Sequence, residues 1–268
     1  MKGLAITAFV ITVLTAVLPP SASSSPWGRK KGEFFAAPQI YYYTADHYWD
    51  KEGDRKSIGC TFKKLETAIY AEWGLSQELT LTLRVPYQHL ECGEKHTDGI
   101  SDIEAGLIKR LKQSSRGVLS LQATAIIPTG YSISRELRLG YNRFGLEGML
   151  LGGYGFNRAF AEAGIGYRYY QGYPSDQIRG YARIGLKPDR KIIIMNTIDI
   201  QYGVNNGERK KVGKNITLEP YYRLIQNDFS LVFRITPRIS VNLGVIKALW
   251  GRNTGDGINF YGQLWFTF

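Results

Sequence analysis

The sequence predicts an all-β protein: a closed antiparallel transmembrane β-barrel of about twelve strands, with both termini on the periplasmic side. Three observations predict it. The chain opens on a secretory leader, no later apolar run is long enough for a membrane-spanning helix, and from about Pro38 apolar and polar residues alternate with period two up to a terminal Phe268. A membrane without helical spans can be crossed only by a closed barrel, because lipid satisfies no backbone donor or acceptor.

The leader comes first. Met1-Lys2 is a short basic start, Leu4 to Leu18 is uncharged and apolar, and Pro19-Pro20 ends the run. Small residues, Ser21 to Ser25, then offer cleavage after Ser23 or Ser24. Residues 1–24 are therefore expected to be a removed signal peptide, and 25–268 the barrel. No Cys follows the apolar run, so a lipid anchor is not expected. Too few residues precede the first strand for an N-terminal plug domain.

Composition agrees. The chain has 30 Gly, 18 Tyr and 12 Phe against 3 Met, a mixture that favours strands and tight turns over helices. Mean hydropathy is slightly negative, as expected when only every second residue of a span faces lipid. The formal charge is +11, and +10 without Lys2. No nucleic-acid motif or basic helix accompanies it. The basic balance fits lipid headgroups, lipopolysaccharide and anionic solutes.

The strands follow in order. Leu79, Leu81, Leu83 and Val85 share one face against Thr80, Thr82 and Arg84. The pattern recurs at Leu119 to Ile127, Ala161 to Tyr167 and Ile239 to Val245. Short connections are expected near Ser76-Gln77, Gln113 to Ser115, Asn157-Arg158, Pro188 to Arg190 and Thr236 to Arg238. Longer ones are expected at Asp46 to Ser57, Glu91 to Asp98, Gly130 to Arg138, Gly172 to Asp176, Asn205 to Lys214 and Arg252 to Gly255. Short turns on one side and longer loops on the other are the outer-membrane arrangement. Ile216 to Ile235 reads as one long strand or as a hairpin at Asn227-Asp228; the long strand keeps the count even. Pro86, Pro128 and Pro220 mark bulges or strand ends. Phe260, Gly262, Leu264, Phe266 and Phe268 form a final strand of the kind read by the barrel-assembly machinery.

One hairpin can be put in register. Centred on Ser76, residues whose numbers sum to 152 face one another, and Cys60 then meets Cys92. These are the only two cysteines. A Cys60–Cys92 disulfide at the loop end is expected in an oxidising compartment; free thiols are the alternative. His89 and His96 lie nearby but match no metal-ligand spacing, so neither a metal nor another cofactor is expected.

The same parity turns Glu66, Glu72, Arg84, Asp102, Glu104, Arg110, Glu147, Glu162, Arg168, Arg179, Arg183, Asp199 and Arg234 inward. The expected solute path runs along Arg84, Asp102, Glu104, Arg110, Glu147, Glu162, Arg168, Arg179 and Arg183. Arg168, Arg179 and Arg183 on neighbouring strands suggest a basic ladder that attracts anions. The alternative is a lumen filled by mutually satisfied side chains.

Catalysis is not expected. A lipid hydrolase needs a nucleophile beside a His base. His47, His89 and His96 all map to external loops or their margins, and none forms a His-x-Ser pair, although Ser57 and Ser101 are not distant in sequence.

Gly99-Ile-Ser-Asp102-Ile-Glu-Ala-Gly106, followed by Ile127-Pro128-Thr129-Gly130, resembles the outer-membrane barrel family named for the meta-pathway of phenol degradation (the MetA-pathway transporter type). Thr236 to Ser240 and Gly251 to Thr254 are also similar to it. The resemblance implies passive, porin-like transport, with apolar or aromatic compounds among the solutes. The expected function is thus an outer-membrane channel for small solutes in a bacterial cell. A non-conducting barrel whose basic loops, Glu208 to Lys211 among them, serve adhesion or lipopolysaccharide contact is the alternative, with a lipid hydrolase as a third.

Overall fold

The computed structural model describes residues 25–268 apart from 133, 173, 206–214 and 219–220. The leader, Glu208 to Lys211 and Pro220 fall outside the described residues. The described residues form thirteen strands in one sheet: β1 Phe34–Trp49, β2 Arg55–Gly74, β3 Leu79–Cys92, β4 Lys95–Ile100, β5 Ile103–Gln113, β6 Gly117–Ile127, β7 Gly145–Gly155, β8 Ala159–Tyr170, β9 Asp176–Leu186, β10 Ile192–Val204, β11 Arg223–Arg234, β12 Ile239–Arg252 and β13 Thr254–Thr267. Every pairing is antiparallel. β1 pairs with β13, which closes the sheet.

Thirteen strands occupy twelve places. β4 and β5 both pair with β3, β4 along Tyr87 to Cys92 and β5 along Leu79 to Arg84. They are two halves of one strand, broken at Ser101-Asp102 opposite Pro86, whose carbonyl accepts from Ser101 N–H at 3.0 Å. Pro86 has no N–H to give the ladder, so the break falls where sequence placed a bulge. Pro128 follows the last residue of β6, as a strand end.

The alternation resolves into two faces. Ile40, Ile69, Leu121, Ile165, Ile184 and Leu243 point outward and are 48–64% exposed, the band that lipid would cover. Phe34, Trp73, Tyr154 and Phe268 edge this band near the short-turn end, and Tyr42, Tyr169, Tyr202 and Trp250 edge it near the other. The two chain ends meet: Phe34 N–H donates to Phe268 C=O and Phe268 N–H to Phe34 C=O, at 3.2 and 2.8 Å.

Four expectations change. The β2–β3 hairpin centres on Gln77, so facing residues sum to 154: Trp73 meets Leu81 and Phe62 meets Cys92. Slipping by two leaves every side chain on its face, so polarity could not detect the error. The disulfide nevertheless forms, from Cys92 to Cys60 just beyond the end of that ladder, with Cα atoms 5.6 Å apart. Second, three expected long loops are mostly strand. β1–β2 is joined by residues 50–54, β3–β4 by Gly93-Glu94 and β12–β13 by Asn253 alone. These neighbouring hairpins make a tall wall. Third, Asn227 and Asp228 lie inside the single strand β11, which begins at Arg223 rather than near Ile216. Fourth, the residues before β1 do enter the barrel.

Candidate functional site

The lumen is the candidate site, and it is layered. At the short-turn end, residues 25–33 are held inside by backbone and side-chain bonds. Gly28 turns the segment at φ 59°, a left-handed conformation that glycine adopts freely. Arg29 N–H donates to Thr80 Oγ1 at 2.7 Å, and Arg29 Nε donates to Glu72 at 2.6 Å. Both charged partners are almost fully buried. Ser25 Oγ donates to Glu162 at 3.1 Å, Ser120 Oγ to the Pro26 carbonyl at 2.5 Å, and Arg110 to the Trp27 carbonyl at 3.4 Å. Five wall side chains thus grip a nine-residue plug. The sequence signal that could have found it is Trp27-Gly28-Arg29: a large aromatic and a cation in a stretch too polar for the leader.

Beside the plug lies an apolar layer of Phe35, Ala37, Tyr70, Phe160, Ile193, Met195, Val232 and Trp265. Above it, a belt of charges crosses the lumen. Arg168 Nε donates to Glu147 at 2.8 Å and its Nη2 to Glu104 at 3.4 Å. Arg183 bonds Glu162 at 3.0 Å and Thr197 at 2.9 Å. Arg84 pairs with Glu66, which also accepts from Gln88 at 2.7 Å. Arg179 donates to Gln177 at 3.4 Å. The register explains these partners: Glu147 faces Arg168 and Glu162 faces Arg183 across adjacent strands.

Every residue of the expected path therefore turns inward, but at different heights. Arg110 and Glu162 touch the plug, Asp102 sits under an external loop, and the rest form the belt. Arg168 and Arg183 are interleaved with carboxylates, so the three arginines are not a bare basic ladder. Glu66, Glu104, Glu147, Asp199 and Asp228 outnumber Arg84, Arg168, Arg179 and Arg183 at this level. The sequence list omitted Asp228, which Tyr261 bonds at 2.8 Å. It has the same parity as Arg234 on β11.

Two cavities of about 210 Å³ each lie along the β10–β13 and β1 side. The inner one is bounded by Tyr41, Tyr181, Asp199, Asp228, Asn242 and Tyr261. The outer one includes Lys64, Gln201, Tyr222 and Asn259, and the two share Gln226 and Ile246. Inward glycines make room for the rings. Gly244 faces Tyr261 across the ladder, and a Cβ there would collide with the ring.

The loop end is covered by residues 128–144 and 215–218. Leu137, Leu139 and Ile216 are buried against Ala45, Phe62, Leu90 and Cys92 of the tall wall. Asn215 Nδ2 donates to the Arg138 carbonyl at 2.6 Å, joining the two loops. The residues that carry the family resemblance are the ones that fasten this cover. Thr129 Oγ1 donates to the Ile100 carbonyl at 2.8 Å, and the Tyr131 hydroxyl donates to Asp102 at 2.5 Å. Burial, with the Asp102 charge beside it, pushes the Tyr131 hydroxyl far above the usual phenol range, so it stays a donor.

His47 lies in β1, His89 in β3 and His96 in β4, rather than in loops. His89 bonds Glu91 at 3.0 Å on the outside of the hairpin. Among the described residues, no group of three or more His, Cys, Asp or Glu side chains is placed to hold a metal.

Solved structures share this architecture. The chain is similar to the COG4313 outer membrane channel from Pseudomonas putida F1, with a TM-score of 0.76 and 12% identity over 90% of this chain and 97% of that one. The fold is an outer-membrane barrel. NanC porin is similar at a TM-score of 0.59 and 8% identity, over 86% of this chain and 98% of that one. The toluene transporter TodX of Pseudomonas putida is similar at 0.50 and 9% identity, over 92% of each chain. At such identities the likeness concerns the fold. No family model and no curated protein matches the sequence.

Proposed function

We propose that the barrel sits in a bacterial outer membrane and passes small solutes passively. The observation that carries this reading is a polar, cavity-containing lumen closed at its ends by two separable segments. A barrel that served only as an anchor would gain nothing from buried charges at membrane depth, which are costly unless they face one another or water. The solute path runs past Asp102, along the belt of Arg84, Glu104, Glu147, Arg168, Arg179 and Arg183, and out past Glu162 and Arg110 once the plug yields. The similar structures described as a porin and a toluene transporter support a small-molecule cargo, apolar or aromatic compounds among them, and no catalytic step.

In this reading residues 1–24 are removed on export and the short turns, plug and both termini face the periplasm. Phe268, 69% exposed, is the signal for barrel assembly, and lipopolysaccharide and lipid cover the outer band. The meta-pathway family is the membership we infer from the Pro128-Thr129-Gly130 and Gly99 to Gly106 segments.

Single-channel recording of the mature protein in planar bilayers tests it. Discrete conductance steps are expected, enlarged when the plug is loosened by Glu72→Ala. Arg168→Ala with Arg179→Ala and Arg183→Ala should move the reversal potential toward greater cation preference. Folded protein that stays silent, with or without the plug contact, would sink the channel reading.

A further inference from the structure

We propose that the inner cavity is a binding site for a small organic cation, an ammonium compound of about seven non-hydrogen atoms. The proposal rests on the channel reading only for the route by which the ligand arrives. Four observations carry it.

The first is charge. Asp199 on β10 faces Gln226 on β11, and Asp228 on β11 faces Thr197 on β10, so the two carboxylates sit diagonally on one wall. Both line the cavity. Asp199 accepts from Gln201 at 2.8 Å and Gln226 at 3.4 Å, and Asp228 from Tyr261 at 2.8 Å. All three donors are neutral. Among the described residues neither carboxylate makes an ion pair, in contrast to Glu147 and Glu162. The one guanidinium on the cavity wall, that of Arg183, is already held by Glu162.

The second is the aromatic wall. Tyr41 and Tyr261 lie with ring centroids 5.3 Å apart, and Tyr181 stands on the opposite side of the two carboxylates, facing Asp199 across the ladder. Tyrosine faces attract cations, and ammonium groups in aromatic surroundings are a recurring use of that attraction. The third is an unmet acceptor. Asn242 is 2% exposed and its Nδ2 donates to Gln263, but its Oδ1 has no partner among the described residues. A donor-bearing ligand would relieve an acceptor that is costly to bury alone. An anion would face two carboxylates, and a wholly apolar molecule would desolvate them without return.

The fourth is size. About 210 Å³ is the share of roughly seven liquid waters at ~30 Å³ each, which suits a compact cation and excludes an oligosaccharide. Met195 and Ile246 supply the apolar floor for the carbon part of such a molecule.

Calorimetric titration of the folded, detergent-solubilised barrel tests the site, with choline as the probe and 3,3-dimethylbutanol as its uncharged isostere. Choline is expected to bind saturably and the isostere at least about tenfold more weakly, a difference of ~1.4 kcal/mol. Asp199→Asn and Asp228→Asn should each weaken choline by about tenfold and leave the isostere unchanged. Glu91→Gln, on the outside of the barrel, should change neither. If the Asp variants fail to fold, Tyr181→Leu replaces them and should weaken choline selectively. Equal binding of the two probes overturns the proposal. So does the absence of choline binding both in the wild type and in a Trp27→Ala variant with a loosened plug. Conductance of the same preparation separates the two readings. Binding without conductance keeps the site and removes the channel, and conductance without binding removes the site alone.

Discussion

The two ends of the lumen are closed by opposite means. At the short-turn end, the plug is held by Arg29–Glu72, Ser25–Glu162 and hydrogen bonds from Ser120 and Arg110 and to Thr80. At the loop end, Leu137, Leu139 and Ile216 are packed against Phe62, Leu90 and Cys92. A polar closure is strong only while every partner is present, because removing one leaves a buried charge alone. An apolar closure weakens in proportion to the volume removed. The difference suits the segments: a nine-residue strap has little apolar surface to bury, whereas a loop of some seventeen residues can carry several leucines.

The sharpest way to break this contrast is at the plug. Glu72→Ala removes the more deeply buried of the two carboxylates that hold Arg29, leaving Glu33 at 3.0 Å, and should weaken plug docking by about 3 kcal/mol. Limited proteolysis after residue 31 would read the release. Protection equal to wild type would show that the plug does not depend on this pair. Leu139→Ala should weaken the cover by about 2–5 kcal/mol, seen as faster amide exchange over residues 128–144 with no change at residues 25–33. Glu72→Ala should give the reverse pattern, and coupled changes at both ends would mean one closure rather than two.

Smaller effects sharpen the comparison. Replacing Cys60 and Cys92 by Ser removes a link closing a separation of 32 residues and should cost about 2–4 kcal/mol of global stability. Because Cys92 is also a wall of the apolar cover, exchange in residues 128–144 should rise more than at the plug. The least effect is expected from acid at the β1–β2 turn. Although its slight desolvation works upward, the backbone N–H groups of Asp54 and Glu52 with nearby Lys56 hold the Asp50 carboxyl below its usual range. A carboxyl with a lowered folded value stabilises above its ordinary range and loses that contribution as pH falls through the lowered value. Protection factors at residues 52–54, exchange normalised to the intrinsic rate at each pH, should therefore fall on acidification, with both closures unchanged.

Much of this architecture was legible before the fold was known. Period two assigned Arg84, Glu104, Glu147, Arg168 and Arg183 to the lumen, and the alternation needs no long-range information because adjacent side chains on a strand must point oppositely. The cysteine pair was found through a register wrong by two, since such a slip preserves faces and moves partners only two residues. The tall wall was missed for a different reason. Asp46 to Ser57 and Glu91 to Asp98 are polar, and polarity outside the membrane does not distinguish a paired strand from a loop. The plug was missed because isolated residues such as Trp27 and Arg29 have no periodicity to read.

The sequence by itself determined the class, the face of each strand residue, the inward charges and the two cysteines that would meet, all consequences of local geometry repeated along the chain. Only the tertiary structure decided which charges are paired, that carboxylates outnumber guanidiniums in the belt, that Asp199 and Asp228 share a cavity, and that residues 25–33 close one end. Those depend on registers between strands far apart in sequence and on a segment folding back across the lumen. Such contacts are set by closure of the whole barrel, and no single strand encodes them.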